Sequence, residues 1–224
     1  ADSIHAWGGT ANIITDSLLT MRLPITALQR LTALPEVTYV EGSRRRRMRM
    51  DKARSTTGVE RLHLGENLET PFTGKGVMVA VIDQGFEFQH PAFKSNGQSR
   101  VVKVWNHLKS NTPYTYIPAG HDNAEDSGGH ATHVTGIAAG SKLPGTSYHG
   151  MAPEADIVMV ASDFSSTSVV DELKWVSDLA KSRGQAVAVN MSFGTYIHSY
   201  DATDNASTAI QALSRPGFLM AAAM

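Results

Sequence analysis

A chain of 224 residues that is 42% hydrophobic and 18% charged can bury a sizeable core, as one large domain or two small ones. Its 20 basic and 21 acidic residues leave a net charge of -1, which gives no global pull toward nucleic acid or a membrane surface. The absence of cysteine excludes disulfides, thiol catalysis and cysteine-zinc sites, and no window approaches the ~18 apolar residues of a membrane span. The start, ADSIHAWGG, lacks the charged and apolar regions of a signal peptide.

In chain order, LLTMRLPI (18–25) alternates Leu19, Met21 and Leu23 with Thr20 and Arg22, the period of a half-buried strand. Leu28, Leu31 and Leu34 follow at near-helical spacing and Pro35 stops them; VTYVEGS (37–43) reads as a second strand. Residues 1–55 are thus expected to form a small α+β strand–helix–strand segment. It runs into the basic stretch RRRRMRMDKAR (44–54), which has no aromatic residues and reads as a solvated edge strand or exposed connector rather than a nucleic-acid patch.

The pattern changes from about residue 74. GVMVAVID (76–83), VVKVWN (101–106), ADIVMVAS (155–162), AVAVNMSF (186–193) and GFLMAAAM (217–224) are short apolar runs, as expected of strands buried on both faces of a parallel sheet. Between them, residues 168–184 open with Ser168-x-x-Asp171, place Val169, Leu173, Val176 and Ala180 on one helical face, and end at Gly184. Ala206, Ala209, Ile210 and Leu213 mark another helix, ended by Pro216 and Gly217. Alternating strands and helices predict an α/β fold with a doubly wound, mostly parallel sheet over residues 56–224. Neither an internal repeat nor a low-complexity tract is present.

Two places in that region carry chemistry. Asp83 closes the run VMVAVID and so reaches the carboxyl edge of the sheet, where ligand sites of such folds lie. In SGGHATHVTGIAAG (127–140), Val134, Ile137 and Ala138 form a helical face, which puts His130 and His133 in the first turn behind two glycines. A helix N-terminus disfavours a charged imidazole, which suits a base that is neutral at rest. A buried carboxylate would fix its tautomer and stabilise its protonated form, and Asp83 is placed to be that carboxylate.

These residues sit in recognisable motifs. VAVIDQGFEFQHPAF resembles the aspartate motif of the subtilisin-like serine proteases, GHATHVTGIAAG their histidine motif, HGMAPEADIVMV the segment after it, and NMSFG the substrate-binding strand. The resemblance covers residues 74–224 in the family's order. It implies that Asp83 orients His130 as general base, that His133 is structural, and that Ser192, Phe193 and Gly194 bind an extended polypeptide substrate. It implies no required cofactor, allows structural calcium, and implies a secreted or extracytoplasmic location. The segment 1–55 resembles the end of a propeptide, a partner of the domain within the same chain. Two positions depart from the pattern: Ala131 stands where the family usually has Gly, and Gln84 where it has a small hydroxyl residue.

The family's nucleophile lies in a Gly-Thr-Ser motif opening a helix late in the domain. Gly145-Thr146-Ser147 has the right letters but comes only 17 residues after His130 (147 − 130) and ahead of a loop with Pro153. It reads as an ordinary loop. The serine and the oxyanion-hole asparagine are therefore expected beyond residue 224, making residues 56–224 a catalytic domain incomplete at its C-terminus and the 224 residues alone inactive. On that expectation, apolar faces such as those of Val187, Val189 and Met220 lack covering.

Two other functions fit parts of the sequence. A binding protein on a protease scaffold would need no serine. A metal-dependent hydrolase could draw on HDNAEDSGGHATH (121–133), although it lacks a glutamate between His130 and His133.

Overall fold

The computed structural model describes residues 2–43, 52–109, 112–113, 129–194 and 203–223, which fall into two compact units, Ala1–Met48 and Arg49–Met224. The basic run 44–51 lies outside the described residues.

In the first unit, α1 (Asp2–Ala6) leads into an antiparallel hairpin of β1 (Thr10–Thr15) and β2 (Leu18–Arg22). A 3-10 turn (Ile25–Ala27) then runs into α2 (Leu28–Thr32). Ile4, Ala27 and Leu31 are buried. The expected strand at 37–43 is absent: those residues form neither helix nor strand, and Tyr39 is exposed. β2 takes its partner from upstream instead, because a two-residue connection, Asp16-Ser17, is the cheapest way to pair antiparallel strands.

The second unit begins with α3 (Ala53–Thr56) and α4 (Val59–Leu64), neither apparent in the apolar pattern. Then come β3 (Met78–Asp83), a small hairpin of β4 (Lys94–Ser95) and β5 (Gln98–Ser99), and β6 (Val101–Asn106). α5 (His130–Ala139), β7 (Asp156–Ala161), α6 (Ser166–Arg183), β8 (Val187–Met191), α7 (Asn205–Leu213) and β9 (Phe218–Ala222) complete it. The main sheet has five strands in the order β6-β7-β3-β8-β9, all parallel, with β3 at its centre.

Alternation along β3 divides the core. Met78, Ala80 and Ile82 pack with Val169, Leu173, Val176 and Ala180 of α6, while Val79 and Val81 pack with Phe86, Phe88, Phe93 and Ala131 and Ala139 of α5. Both faces are thus covered, the doubly wound arrangement expected from the apolar runs. Val187 and Val189, expected to lack covering, are buried, because α6 and α7 close over that end of the sheet; Met220 is half-buried.

One cap differs from the sequence reading. α6 starts two residues before Ser168, and Ser165 caps it by accepting from Ser168 N at 3.2 Å. The tripeptide Ser192–Phe193–Gly194, expected within a strand, runs on past the end of β8.

Candidate active site

Two elements meet at the carboxyl edge of the sheet. β3 is buried throughout and ends at Asp83, so the strand delivers a carboxylate to the edge without exposing it. Gly129 precedes α5 at φ +59°, a left-handed conformation that glycine adopts without penalty, and the helix then opens on His130. The two ends are laced together. Ala131 N donates to Gln84 O at 3.1 Å, Thr132 Oγ1 donates to Gly85 O at 3.0 Å, and Glu87 N donates to Thr132 Oγ1 at 2.7 Å. The far end of α5 is held by the segment 150–152, whose amides donate to Gly140, Ile137 and Ala138 carbonyls. Gly150 approaches Gly140 too closely for a Cβ.

This frame brings Asp83 and His130 into contact. His130 Nδ1 lies 2.9 Å from Asp83 Oδ2 and 3.0 Å from Oδ1. Gln84 N donates to Oδ1 at 2.7 Å. The Asp83 side chain is 4% exposed and that of His130 is 49% exposed. The acid is therefore shielded while the imidazole faces solvent. A carboxylate on Nδ1 requires the proton on that nitrogen, which leaves the Nε2 lone pair available to take another.

The two departures from the family pattern have structural roles here. The Ala131 methyl is completely buried, packed in the core beneath α5. Gln84 Nε2 donates to Ser162 O, tying the ends of β3 and β7. His133 is exposed on the first turn of α5.

Ser192 and Phe193 are half-buried beyond β8, and Gly194 is exposed. Asn190 Nδ2 donates to Ser192 Oγ at 2.9 Å, and the Phe193 ring lies 4.7 Å from that of Phe164. Ser147 is elsewhere. It is exposed on the loop after the C-terminal end of α5, and its carbonyl accepts from Arg54 at 2.9 Å. His130 opens that ten-residue helix, which is about 15 Å long.

Of the His/Asp cluster at 121–133, residues 121–128 lie outside the described residues. Among the described residues no group of three or more His, Asp or Glu side chains could hold a metal ion, and no helix is long and apolar enough to cross a membrane.

Sequence reasoning missed a second carboxylate–imidazole contact on the same edge. Glu172 of α6 has no exposed surface, and His107, just after β6, places Nδ1 2.8 Å from its Oε1. Burial raises the Glu172 pKa above 4.5, against the opposing pull of His107 and the Ser162 side chain. A signal did exist, since Glu172 stands at i+3 from Val169 on the apolar face of α6.

Residues 74–224 match the Subtilase family. The chain belongs to the subtilase family. It is 27% identical over 143 residues to a subtilisin of Bacillus sp. (strain TA39), covering 62% of this chain and 32% of that one. It is 37% identical over 97 residues to the subtilisin-like protease PopC of Myxococcus xanthus (strain DK1622), covering 43% and 18%. Among solved structures, the CspB protease of Clostridium perfringens superposes with a TM-score of 0.67 at 21% identity, over 76% of this chain and 39% of that one, and shows the same fold. The chain thus spans about a third or less of the length of the two protease relatives, and 39% of the CspB chain.

Proposed function

We propose that the protein containing this subtilase chain is a serine endopeptidase acting on extended polypeptides, with Asp83 orienting His130 as general base. The observation that carries this is the shielded carboxylate on Nδ1 of a solvent-facing imidazole, at the carboxyl edge of a subtilase sheet. In that arrangement Nε2 takes the proton of an attacking serine hydroxyl and returns it to the leaving amine, while Asp83 stabilises the imidazolium in between. The serine lies outside residues 1–224. The backbone of Ser192, Phe193 and Gly194 receives the substrate as an added strand. Residues 1–55 act as a propeptide-like partner, and the protein works outside the cytoplasm. Calcium, where bound, has a structural role only.

The test is active-site labelling of the whole protein with a serine-directed fluorophosphonate. Wild type should label rapidly and Asp83→Asn slowly, by about 10⁴-fold if the acid acts as described. Equal labelling of the two would defeat the assignment.

A further inference from the structure

The buried pair Glu172–His107 has no part in the proposed proton transfer, yet only β7 separates β6, which His107 follows, from β3, which ends at Asp83. A carboxyl with no exposed surface is costly, and Glu172 Oε2 has no hydrogen-bond partner among the described residues. An apolar side chain on this face of α6, beside Val169 and Leu173, would serve packing as well or better. Stability alone therefore does not account for a carboxyl here.

What the pair does mechanically is visible in its neighbours. His107 N donates to Ala161 O at 3.0 Å, so the end of β6 is joined to the end of β7. The His107 ring stacks 4.5 Å from Trp105, which meets Trp175 of α6 edge-on at 5.5 Å. The Glu172 carboxyl, taken up by His107, thus ties α6 to the end of β6, and the His107 N–Ala161 O bond carries that tie on to the end of β7.

Between those anchors runs a four-residue connection, Ser162 to Ser165. Ser162 N donates to Asp83 O at 3.1 Å, and its hydroxyl accepts from Phe164 N at 3.0 Å. Asp163 Oδ1 accepts from Ser165 N at 2.9 Å. Phe164 sits at φ +59°, a conformation that a bulky side chain holds only when its surroundings impose it. Its partly exposed ring leans on Phe193, the middle residue of the proposed substrate-binding segment.

We propose that Glu172 and His107 are positioning residues, which hold the strained β7–α6 connection so that Phe164 stays against Phe193 and the extended part of the substrate finds a preformed wall. This rests on the reading of residues 192–194 as substrate-binding. The pair acts through the connection and touches no reacting atom. Its expected signature is a change in peptide binding without a change in the chemical step.

The experiment compares wild type, Glu172→Leu and Glu172→Gln of the whole protein on two substrates. One is an extended unstructured peptide; the other is a small activated acetyl ester that reaches only base and nucleophile. For the peptide, Glu172→Leu should raise KM by about tenfold, while kcat on the ester stays within about twofold. Glu172→Gln keeps a hydrogen bond to His107 and should recover most of the loss. Equal damage on both substrates, no effect on either, or a glutamine variant as impaired as the leucine variant would overturn the proposal. If wild type hydrolyses neither substrate, the peptidase reading fails, and hydrogen exchange decides the positioning role separately. Folded Glu172→Leu should then lose amide protection at Ser165 and Ser168 while β7 keeps its own. Unchanged protection at those amides would refute it.

Discussion

Asp83 and His130 owe their relation to two local facts, a strand that ends in a buried acid and a helix that opens on an imidazole directly after a left-handed glycine. Ser147 has neither, being exposed on a loop at the opposite end of α5. In the whole protein, Ser147→Ala should leave peptide hydrolysis within about twofold of wild type, since surface loop changes are close to neutral. A loss of several orders of magnitude in a steady-state assay would return Ser147 to the active site. Glu172 gives a pH prediction. Burial lifts its folded pKa above 4.5, so its neutral form suits the fold. The associated stability is complete below that value and is lost as pH rises through the lifted one. Glu172→Gln stays neutral throughout. Its thermal midpoint should match wild type near pH 4 and exceed it by about 2–4 °C near pH 8, read by circular dichroism. A midpoint difference that does not grow with pH would contradict this.

Elements differ in how openly the sequence states them. The buried strands were legible because each is a short apolar run, and α6 because Val169, Leu173, Val176 and Ala180 repeat at helical spacing. β1 was not, because Ile13 and Ile14 are adjacent and exposed and thus break the alternation. VTYVEGS has the composition of a strand, but β2 already has its partner in β1. The start of α6 is ambiguous in the sequence because Ser165 and Ser168 both suit a cap, and only the backbone shows that Ser165 is extended, at φ -67° and ψ 146°. At the site, Asp83 and His130 were legible from strand end and helix start, whereas the Glu172–His107 contact joins residues 65 apart in sequence through tertiary packing. Ser165→Ala should cost about 1 kcal/mol of stability by removing the cap. Denaturant unfolding checks this, and an unchanged midpoint would show that the cap contributes nothing.

Across the whole molecule, both core clusters draw their side chains only from residues 77–220, within the second unit. A protein beginning at Arg49 should therefore keep the His130 imidazole resonance of the longer protein in a histidine NMR spectrum. A collapsed or shifted resonance would mean that residues 1–48 are needed to hold the site. If Asp83 orients His130 as general base for peptide hydrolysis, removing the imidazole should abolish turnover. The quantity to compare is kcat/KM of the whole protein on an unstructured polypeptide, with His130 intact and with His130→Ala. The expected fall is about 10⁴-fold or more in a variant that still folds. Hydrolysis within about twofold of wild type would contradict it.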